Sequence, residues 1–463
     1  MRRTGGGHHL ADGAVLLIAA ALVVGVWQGF WVALLALAAA LLARQPPLVL
    51  GLCVLAAALG FWSGGRAWQQ ASPRHLGHYA GWAELAGDPA PFGKGLRVTM
   101  EIEGERFDAW FYGGTRRKLA ERQSGEYIWV DGRRAHLTGS PRRALVRHVV
   151  GRLEVAVVGD VVDGSALARA NNRVRRNLRT AAEATMAGDD AALFTGLVIG
   201  DDARQPTWLI DDFRASGLSH LTAVSGQNVG FVLAAALPLL RRLRPWWRWA
   251  AAVGLIAWFM ALTRFEPSVL RAGVMAILAA TASVRGQQVR PLRLLALALI
   301  VLVVVDPLLV WSVGFWLSVG ATAGVCSVGP WLHPRLPGPV WVRLPLAITI
   351  GAQVGVALPS LLVFHRLPVV SLPANLAAVP VAGFVMLYGL PAGFFASFLP
   401  VPLQTLVMLP AELGTRWVAT VARLAAAIEP SPGWSVLCWL LGVVCLVAWS
   451  RRRSRSGAAV VPI

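Results

Sequence analysis

The sequence predicts a mainly α-helical polytopic membrane protein into which an extracytoplasmic β-barrel domain is inserted. Hydrophobic residues make up 56% of its 463 residues, charged residues only 14%, and the mean hydropathy is +0.58. These values are typical of proteins with many membrane-spanning segments. A stretch that gains charge and loses long apolar runs, from 66 to about 180, interrupts the apolar segments and indicates the insertion.

The charge balance favours an anionic partner. Lys and Arg together number 43 against 24 Asp and Glu, which gives a formal net charge of +19. Either a membrane surface or a polyanion such as nucleic acid fits that charge. The four cysteines, Cys53, Cys326, Cys438 and Cys445, lie in apolar stretches without metal-ligand spacing. We therefore expect no disulfide framework, no metal and no cofactor.

Residues 1–65 predict about three N-terminal transmembrane helices, at 12–27, 29–43 and 47–63. Further spans follow the first at once, so we interpret it as a membrane helix rather than a removed signal peptide. Arginines precede the first helix and separate the second from the third. The positive-inside tendency then places the N-terminus in the cytoplasm and the following domain outside.

Residues 66–164 predict the extracytoplasmic β-domain. Period-two alternation between glycines indicates strands at 95–103, 105–112, 126–131 and 152–158. We expect a small barrel of the oligonucleotide-binding (OB) type.

Alternation in the second of these strands separates Phe107, Ala109 and Phe111 from Trp110 and Tyr112. Trp110 and Tyr112 could stack nucleic-acid bases on an OB-type surface. The alternative is one core face with an aromatic rim against the membrane.

Residues 165–189 predict an amphipathic helix lying on the membrane, with arginines at helical spacing. Two of them, Arg173 and Arg176, are candidates for contact with DNA phosphates; contact with lipid headgroups is the alternative.

Residues 190–450 predict a transmembrane channel domain, and residues 451–463 a basic cytoplasmic tail. Arginine-rich loops at 241–244, 285–293 and 335–343 are expected on the cytoplasmic side. The prolines Pro368, Pro373, Pro380 and Pro391 predict a broken or re-entrant element in 368–400, with the number of crossings left open. The candidate spans are 218–240, 246–262, 267–284, 291–305, 308–329, 342–364, 368–400, 403–426 and 433–450.

Three polar clusters interrupt these apolar segments. Each unsatisfied polar group in hydrocarbon costs several kcal/mol, so such clusters are expected to line a cavity or to pack inside a helix bundle. The clusters are 200–228, with Gly-Leu-Ser-His-Leu-Thr-Ala-Val-Ser-Gly; 269–318, with Leu-Arg-Ala-Gly-Val-Met, Asp-Pro and Gly-Phe-Trp-Leu-Ser; and 353–380, with Pro-Ala-Asn-Leu-Ala-Ala-Val-Pro.

In this order and spacing, the clusters resemble the competence domain of the ComEC family, strongly over 190 to about 400. The resemblance implies a channel in the bacterial inner membrane that admits single-stranded DNA during natural transformation. It also implies two partners, a DNA receptor protein and a cytoplasmic ATPase. Whether several copies form one passage stays open. No phosphate-cradling Gly-x-x-x-x-Gly-Lys-Ser/Thr loop is present, so the driving force is expected from elsewhere.

The sequence departs from that family in two places. Many relatives carry Leu-His where this chain has Gln227-Asn228, which removes a titratable group. Many also continue into a metallo-β-lactamase-like domain, whereas this sequence has no His-x-His-x-Asp-His run. We therefore expect no nuclease activity and no enzyme.

The residues predicted to line the channel are polar groups of the three clusters. Their alternative role is to join helices through small-residue packing and hydrogen bonds. Gly200, Asp201, Asp202, Gly217, Gly226 and Pro380 are expected to shape the motifs. The predicted lining residues are Ser216, Ser219, His220, Thr222, Ser225, Gln227, Asn228, Arg271, Asp306, Ser318, Gln353 and Asn375.

Several of these residues have a second interpretation. Asp201 and Asp202 could cap a helix or bind a cation. His220 is interpreted as a buried, hydrogen-bonded histidine rather than a metal ligand. Arg271 would form an ion pair, with Asp306 or Glu266, or offer its charge to a passing phosphate. Asn375 would satisfy backbone groups freed by a helix break.

Two other functions remain open. The charge and the polar segments would equally suit a transporter or flippase of another anionic polymer or lipid. The run Ala223-Val-Ser225-Gly226 also resembles the motif of intramembrane serine proteases. A nucleophile needs a base within hydrogen-bond reach, and His220 lies five residues away on a different helical face.

Overall fold

The computed structural model describes residues 11–27, 46–138, 142–222, 225–430, 433–435, 438–439 and 441–442. The predicted span 29–43, the tail 451–463 and most of the predicted span 433–450 lie outside these residues. The chain divides into two compact units. The first comprises Met1–Arg176 and Ala236–Phe315, and the second comprises Asn177–Ala235 and Trp316–Ile463.

Within the described part of the chain, five helices are long and apolar enough to cross a membrane, and three shorter helices are apolar. The prediction of a mainly helical, multi-pass membrane protein with a β-domain is confirmed at this level. The five are Pro47–Gln69, Pro267–Val284, Val313–Leu332, Val340–Phe364 and Ser371–Ala396, and the three are Asp12–Val26, Gly226–Leu240 and Pro291–Val305.

Among its described residues, the first unit begins with two parallel helices, α1 (Asp12–Val26) and α2 (Pro47–Gln69). Gly60 of α2 lies against the backbone of Leu22, and Gly64 against Val26, so both helices run in the same direction. A side chain at Gly60 would overlap the Leu22 carbonyl. Small residues therefore allow this close approach, as is usual between membrane helices.

In its described residues, 77–138 and 142–162, the β-domain has six strands and two short helices. The strand order is β1-β5-β6-β4-β3-β2, β4 and β6 are parallel, and β1 also pairs with β3 through Glu84–Glu101 and Leu85–Met100. The core has nearly no exposure at Val98, Phe107 and Val130. The elements are β1 (Gly77–Leu85), β2 (Ala90–Phe92), β3 (Gly95–Ile102), β4 (Glu105–Phe111), α3 (Gly113–Leu119), β5 (Tyr127–His136), α4 (Arg142–Leu145) and β6 (Val149–Val162).

The middle of the chain contains helices that belong to both units. The predicted amphipathic helix is α5 (Ala166–Thr185), and its residues from Asn177 onward belong to the second unit. The predicted span 218–240 is wrong over its first part, since a loop and a one-turn helix precede α9. These helices are α6 (Gly188–Ile199), α7 (Thr207–Ala215), α8 (Ser219–Thr222) and α9 (Gly226–Leu240).

The remaining helices alternate along the sequence with short turns. The first unit contains α10 (Pro245–Leu262), α11 (Pro267–Val284) and α12 (Pro291–Val305), followed by the 3₁₀ helix Pro307–Trp311. The second unit contains most of α13 (Val313–Leu332), then α14 (Val340–Phe364), α15 (Ser371–Ala396) and α16 (Val401–Ile428).

The predicted break between 368 and 400 is wrong, because α15 is a continuous helix with Pro380 and Pro391 inside it. An interior proline removes one backbone hydrogen bond, which membrane helices tolerate when neighbouring helices support them. The support here is α16, on which Gly414 lies directly against Val385. Tyr388 also donates a hydrogen bond of 2.8 Å to the Val407 carbonyl.

Candidate functional site

The polar residues 216–222, which follow α7, are hydrogen-bonded within their own segment. The hydroxyls of Ser216 and Ser219 both donate to the Phe213 carbonyl, at 3.3 and 3.2 Å. Thr222 donates to the Ser219 carbonyl at 2.9 Å. These three hydroxyls thus satisfy backbone carbonyls of their own segment, and their lining of a channel stays a prediction.

Gly217 brings the first polar cluster against the third. Its φ is +73°, and a Cβ added there would lie 2.6 Å from the Cβ of Ser371. The Ser371 hydroxyl accepts a hydrogen bond from Gln353 Nε2 at 2.9 Å and donates to the Pro368 carbonyl at 2.7 Å. The turn, α14 and the start of α15 therefore meet at one buried serine, which is 1% exposed.

The segment after α16 covers the start of α15. The Glu429 carboxylate accepts the backbone N–H groups of Val369 and Val370, at 3.3 and 3.1 Å, and the Ser435 hydroxyl at 2.6 Å. A carboxylate at a helix N-terminus is favoured by the helix dipole. Sequence reasoning missed Glu429 and Ser435, and the available signal was an acidic residue directly after the end of α16.

A second connection joins α9 to α6. Asn228 is 2% exposed, its amide donates to the Leu197 carbonyl at 3.2 Å, and its Oδ1 accepts the Ser225 hydroxyl at 3.1 Å. Gln227, the other half of the departure from the ComEC pattern, is exposed. Asn228 therefore holds α9 against α6, whereas the side chain of Gln227 is exposed.

Asp201 follows the C-terminal end of α6, and its carboxylate is paired with an arginine. It is 5% exposed, follows the C-cap Gly200 (φ +69°), and forms an ion pair with Arg179 of α5. Arg179 therefore does not lie free against lipid headgroups, because the buried carboxylate holds it. Asp202, in contrast, is exposed.

Gln205 is a buried residue that the sequence did not single out. It is 7% exposed, and neither end of its side-chain amide has a hydrogen-bond partner within the part of the chain that the structure describes. The amide lies against Gly196, where a Cβ would overlap it. Gln205 can approach α6 this closely because residue 196 is a glycine and has no Cβ.

The other predicted residues of the second unit divide by exposure. His220 lies on the one-turn helix α8, where its side chain is exposed and its ring is hydrogen-bonded to the backbone of Gly217, so its interpretation as a hydrogen-bonded histidine stays a prediction. Asn375 is 6% exposed, and its Oδ1 has no partner among the described residues. Its predicted role at a helix break is wrong because α15 has no break. Ser318 and Gly226 are partly buried, and Pro380 is exposed.

Asp306 and Arg271 belong to the first unit. Asp306 caps the 3₁₀ helix through the Leu308 N–H at 3.0 Å and contacts His148 Nε2 at 3.0 Å. The predicted ion pair of Arg271 with Asp306 or Glu266 stays a prediction. Arg271 is 6% exposed, with one guanidinium nitrogen 3.3 Å from Met275 Sδ.

The β-domain carries a buried charge cluster that sequence reasoning missed. Asp88 accepts hydrogen bonds from Arg175 at 2.9 Å, from Arg264 at 2.9 and 3.2 Å, and from the Ser124 N–H at 2.8 Å. Arg175 is 2% exposed and also donates to the Leu262 carbonyl at 3.1 Å. One carboxylate thus joins the β-domain, α5 and the turn after α10.

The candidate DNA contacts of the β-domain and α5 are accessible to different degrees. Tyr112 is 60% exposed, whereas Trp110 is half-buried beside Phe92, with ring centroids 6.3 Å apart. Arg173 and Arg176 are both exposed, and Arg176 lies 3.9 Å from Glu126. The cationic face of α5 is therefore open, although its neighbour Arg175 is buried.

No group of three or more His, Cys, Asp or Glu side chains that could hold a metal occurs in the described ranges. Ser225, the residue of the protease-like motif, donates its hydroxyl to Asn228. The site is thus a set of hydrogen-bonded polar groups at helix ends.

Comparison with known proteins places this site within a matched region. The family model described as "Competence protein" matches residues 197–453. No solved structure is significantly similar.

The curated relatives include proteins of three bacteria. ComE operon protein 3 of Bacillus subtilis (strain 168) is 25% identical over 328 residues, which are 66% of this chain and 41% of that protein. Competence protein ComA of Neisseria gonorrhoeae is 28% identical over 287 residues, 56% of this chain and 39% of that protein. Uncharacterized protein YcaI of Escherichia coli (strain K12) is 26% identical over 211 residues, 42% and 28% respectively. The chain therefore spans less than half the length of each of these relatives.

Proposed function

Because the chain belongs to the competence protein family, whose model matches more than half of it, we propose that it is an inner-membrane channel for uptake of single-stranded DNA during natural transformation. The observation that carries the proposal is the meeting of Gly217, Gln353 and Ser371 within the matched region. Polar segments far apart in sequence converge on one buried hydroxyl, and exposed polar residues, His220 and Gln227, flank the same turn. Conduction, rather than chemistry, is the role that this arrangement suits.

We assign the guiding of the strand to the β-domain and α5. The β1–β3 pairing returns the strand order to its start, so we interpret the β-domain as an OB-like barrel that lies outside the cytoplasm. Surfaces that bind single strands combine cations that follow the backbone with aromatic rings that stack on bases. The exposed Arg173, Arg176 and Tyr112 supply both.

The proposed channel needs partners. No phosphate-cradling Gly-x-x-x-x-Gly-Lys-Ser/Thr loop occurs in the sequence, so a cytoplasmic ATPase would supply the driving force and a DNA receptor the substrate. We further propose that the protein is not an enzyme. We also propose that it acts in competence, the process for which ComA of Neisseria gonorrhoeae is named.

The test is genetic. In a transformable strain that carries this gene, its deletion is expected to abolish transformation and the entry of labelled DNA. Rescue is expected from the wild type and from the control Thr420→Leu, whose exposed hydroxyl donates only within its own helix. Ser371→Leu is expected to fail, because it removes the hydroxyl shared by Gln353 and Pro368. Normal DNA entry in the deletion strain would overturn the proposal.

A flippase or exporter of another anionic polymer or lipid remains the second candidate, on the strength of the net charge of +19. Proteoliposomes that contain the purified protein distinguish the two. Entry of labelled single-stranded DNA without transfer of labelled lipid supports the channel, and the opposite result supports the flippase.

A further inference from the structure

One end of the first unit's helix bundle gathers the start of α10, the end of α11 and the start of α12. Trp249 Nε1 donates to Thr281 Oγ1 at 3.0 Å, which places the first turn of α10 beside the last turn of α11. Arg290 and Arg293, at the start of α12, both lie 3.4 Å from Asp12 at the start of α1. We name this end, comprising 239–249, 281–293 and Asp12, the arginine–tryptophan end.

The arginine–tryptophan end is strongly cationic. It carries seven arginines, and Asp12 is the only acidic side chain among its described residues. Asp12 contacts Arg290 and Arg293, so the positive charge of the other five is not balanced within this end. The other five are Arg241, Arg242, Arg244, Arg248 and Arg285, all of them exposed.

Large apolar side chains stand between these arginines. Leu239, Trp246 and Trp247 are 68%, 62% and 65% exposed, and Leu243 is 41% exposed. The Trp246 ring stacks on Trp249 at 4.8 Å between centroids, and Trp249 is itself fixed by Thr281. The tryptophans are therefore held at the end of apolar helices, where aromatic belts meet the membrane–water interface.

We propose that the arginine–tryptophan end binds the headgroups of anionic phospholipids. Guanidinium groups suit phosphate oxygens, and cations near an anionic membrane surface are attracted to it. The same guanidinium groups would suit a DNA backbone. Exposed leucine and tryptophan between the arginines favour lipid, because these side chains enter the acyl region while the cations stay at the headgroups. The inference goes beyond the proposed function and does not rest on it.

The experiment compares two variants of the full chain that each lose three positive charges. Arg241→Gln/Arg242→Gln/Arg244→Gln removes cations of the arginine–tryptophan end. Arg116→Gln/Arg117→Gln/Lys118→Gln removes three exposed cations of α3 and is the matched control. Short-chain phosphatidylglycerol or phosphatidylcholine is titrated into detergent-solubilised protein, with the thermal unfolding midpoint and native mass spectrometry as readouts.

Phosphatidylglycerol is expected to bind the wild type and the α3 variant alike and to raise their unfolding midpoints, whereas phosphatidylcholine does not. The variant at 241, 242 and 244 is expected to bind phosphatidylglycerol at least about tenfold more weakly. Equal loss in both variants, or equal binding of the two lipids, would overturn the proposal. The proposal would also be overturned if oligo(dT), tested with the protein in neutral nanodiscs, bound the wild type and the α3 variant but not the variant at 241, 242 and 244. Unchanged unfolding midpoints without lipid show that both variants fold.

Discussion

Gly217 sits where two independent constraints both require glycine. Its φ of +73° belongs to the left-handed region, and its Cα faces the Cβ of Ser371. The two constraints can be separated with other glycines of the same chain. Gly338 also has a positive φ, of +101°, but no atom lies within 4 Å of an added Cβ, and Gly230 has neither constraint.

We expect Gly217→Ala to destabilise the protein by about 3 kcal/mol, from backbone strain together with overlap against Ser371. Gly338→Ala should cost about 1 kcal/mol from strain alone, and Gly230→Ala, inside α9, should be neutral or stabilising. Thermal unfolding in detergent measures all three. Equal losses of stability in Gly217→Ala and Gly338→Ala would show that the contact with Ser371 contributes nothing to the difference.

Asp88 neutralises two arginines, so its removal leaves buried charge behind. We expect Asp88→Asn to destabilise the first unit by about 3 kcal/mol, since Arg175 is 2% exposed and keeps its charge. Asp160→Asn, on the exposed part of β6, is the control and should change stability by no more than about 0.5 kcal/mol. Denaturant unfolding followed through the β-domain gives both values.

The same carboxylate predicts a dependence on pH. Burial alone would raise the pKa of Asp88, but Arg175 and Arg264 outweigh it and hold the pKa below its ordinary value. The unfolded chain takes up this proton near pH about 4, whereas the folded chain resists it. The contribution of Asp88 is therefore complete above that pH and lost as the pH falls through the folded pKa. Wild type should lose more stability than Asp88→Asn between pH 5 and 3, in unfolding midpoints measured across about that range.

Residue by residue, the sequence indicated the polar segments but not their contacts. Ser216 and Asn228 stand out because they are polar residues in an apolar region, and both are buried and hydrogen-bonded. Glu429 and Asp88 did not stand out, since a single carboxylate in a loop carries no periodic signal. Their importance depends on partners about 60 and 87 to 176 residues away, which only the fold brings near.

At the scale of helices and strands, hydropathy and alternation predicted most elements. The strands at 95–103 and 105–112 are confirmed to within one residue, as β3 and β4. Strand β1 was missed because Gly77 and Gly81 stand at partly buried positions and Trp82 at an exposed one, so its apolar residues do not alternate as its burial does. The error at 368–400 has a different origin. Proline was expected to break the helix, but the packing of α15 on α16 keeps it continuous through Pro380 and Pro391.

The helix pair α13 and α14 packs through glycines facing one another. Side chains at Gly355 or Gly324 would overlap the backbone of the facing helix, at Gly320 and Gly351. We expect Gly355→Leu to prevent folding of the second unit, because neither backbone can retreat and the cost exceeds the roughly 1–3 kcal/mol of ordinary overpacking. Gly254→Leu, on the open face of α10, is the control. Size-exclusion chromatography in detergent should show a monodisperse peak for the control alone.

For the whole molecule, composition indicated a basic membrane protein, and the structure distributes the cations unevenly. Some are neutralised internally, such as Arg175 and Arg179, whereas Arg173 and Arg176 are exposed. The net charge therefore overestimates the number of cations that are available to bind a polyanion. The cations left open on α5 are the ones that should govern binding of a single strand.

Binding of single-stranded DNA, if the proposed function holds, should weaken with salt in proportion to the phosphates that the protein contacts. With about four contacts, a slope near −0.7 per contact predicts roughly a 50-fold loss of affinity between about 50 and 200 mM salt. Arg173→Gln/Arg176→Gln should lower the slope by about 1.4, because two contacts disappear. Arg116→Gln/Arg117→Gln, two exposed cations of α3, should leave it unchanged. Fluorescence anisotropy of labelled oligo(dT) with protein in neutral nanodiscs gives these slopes, and identical slopes for the two double variants would remove α5 from the proposed path.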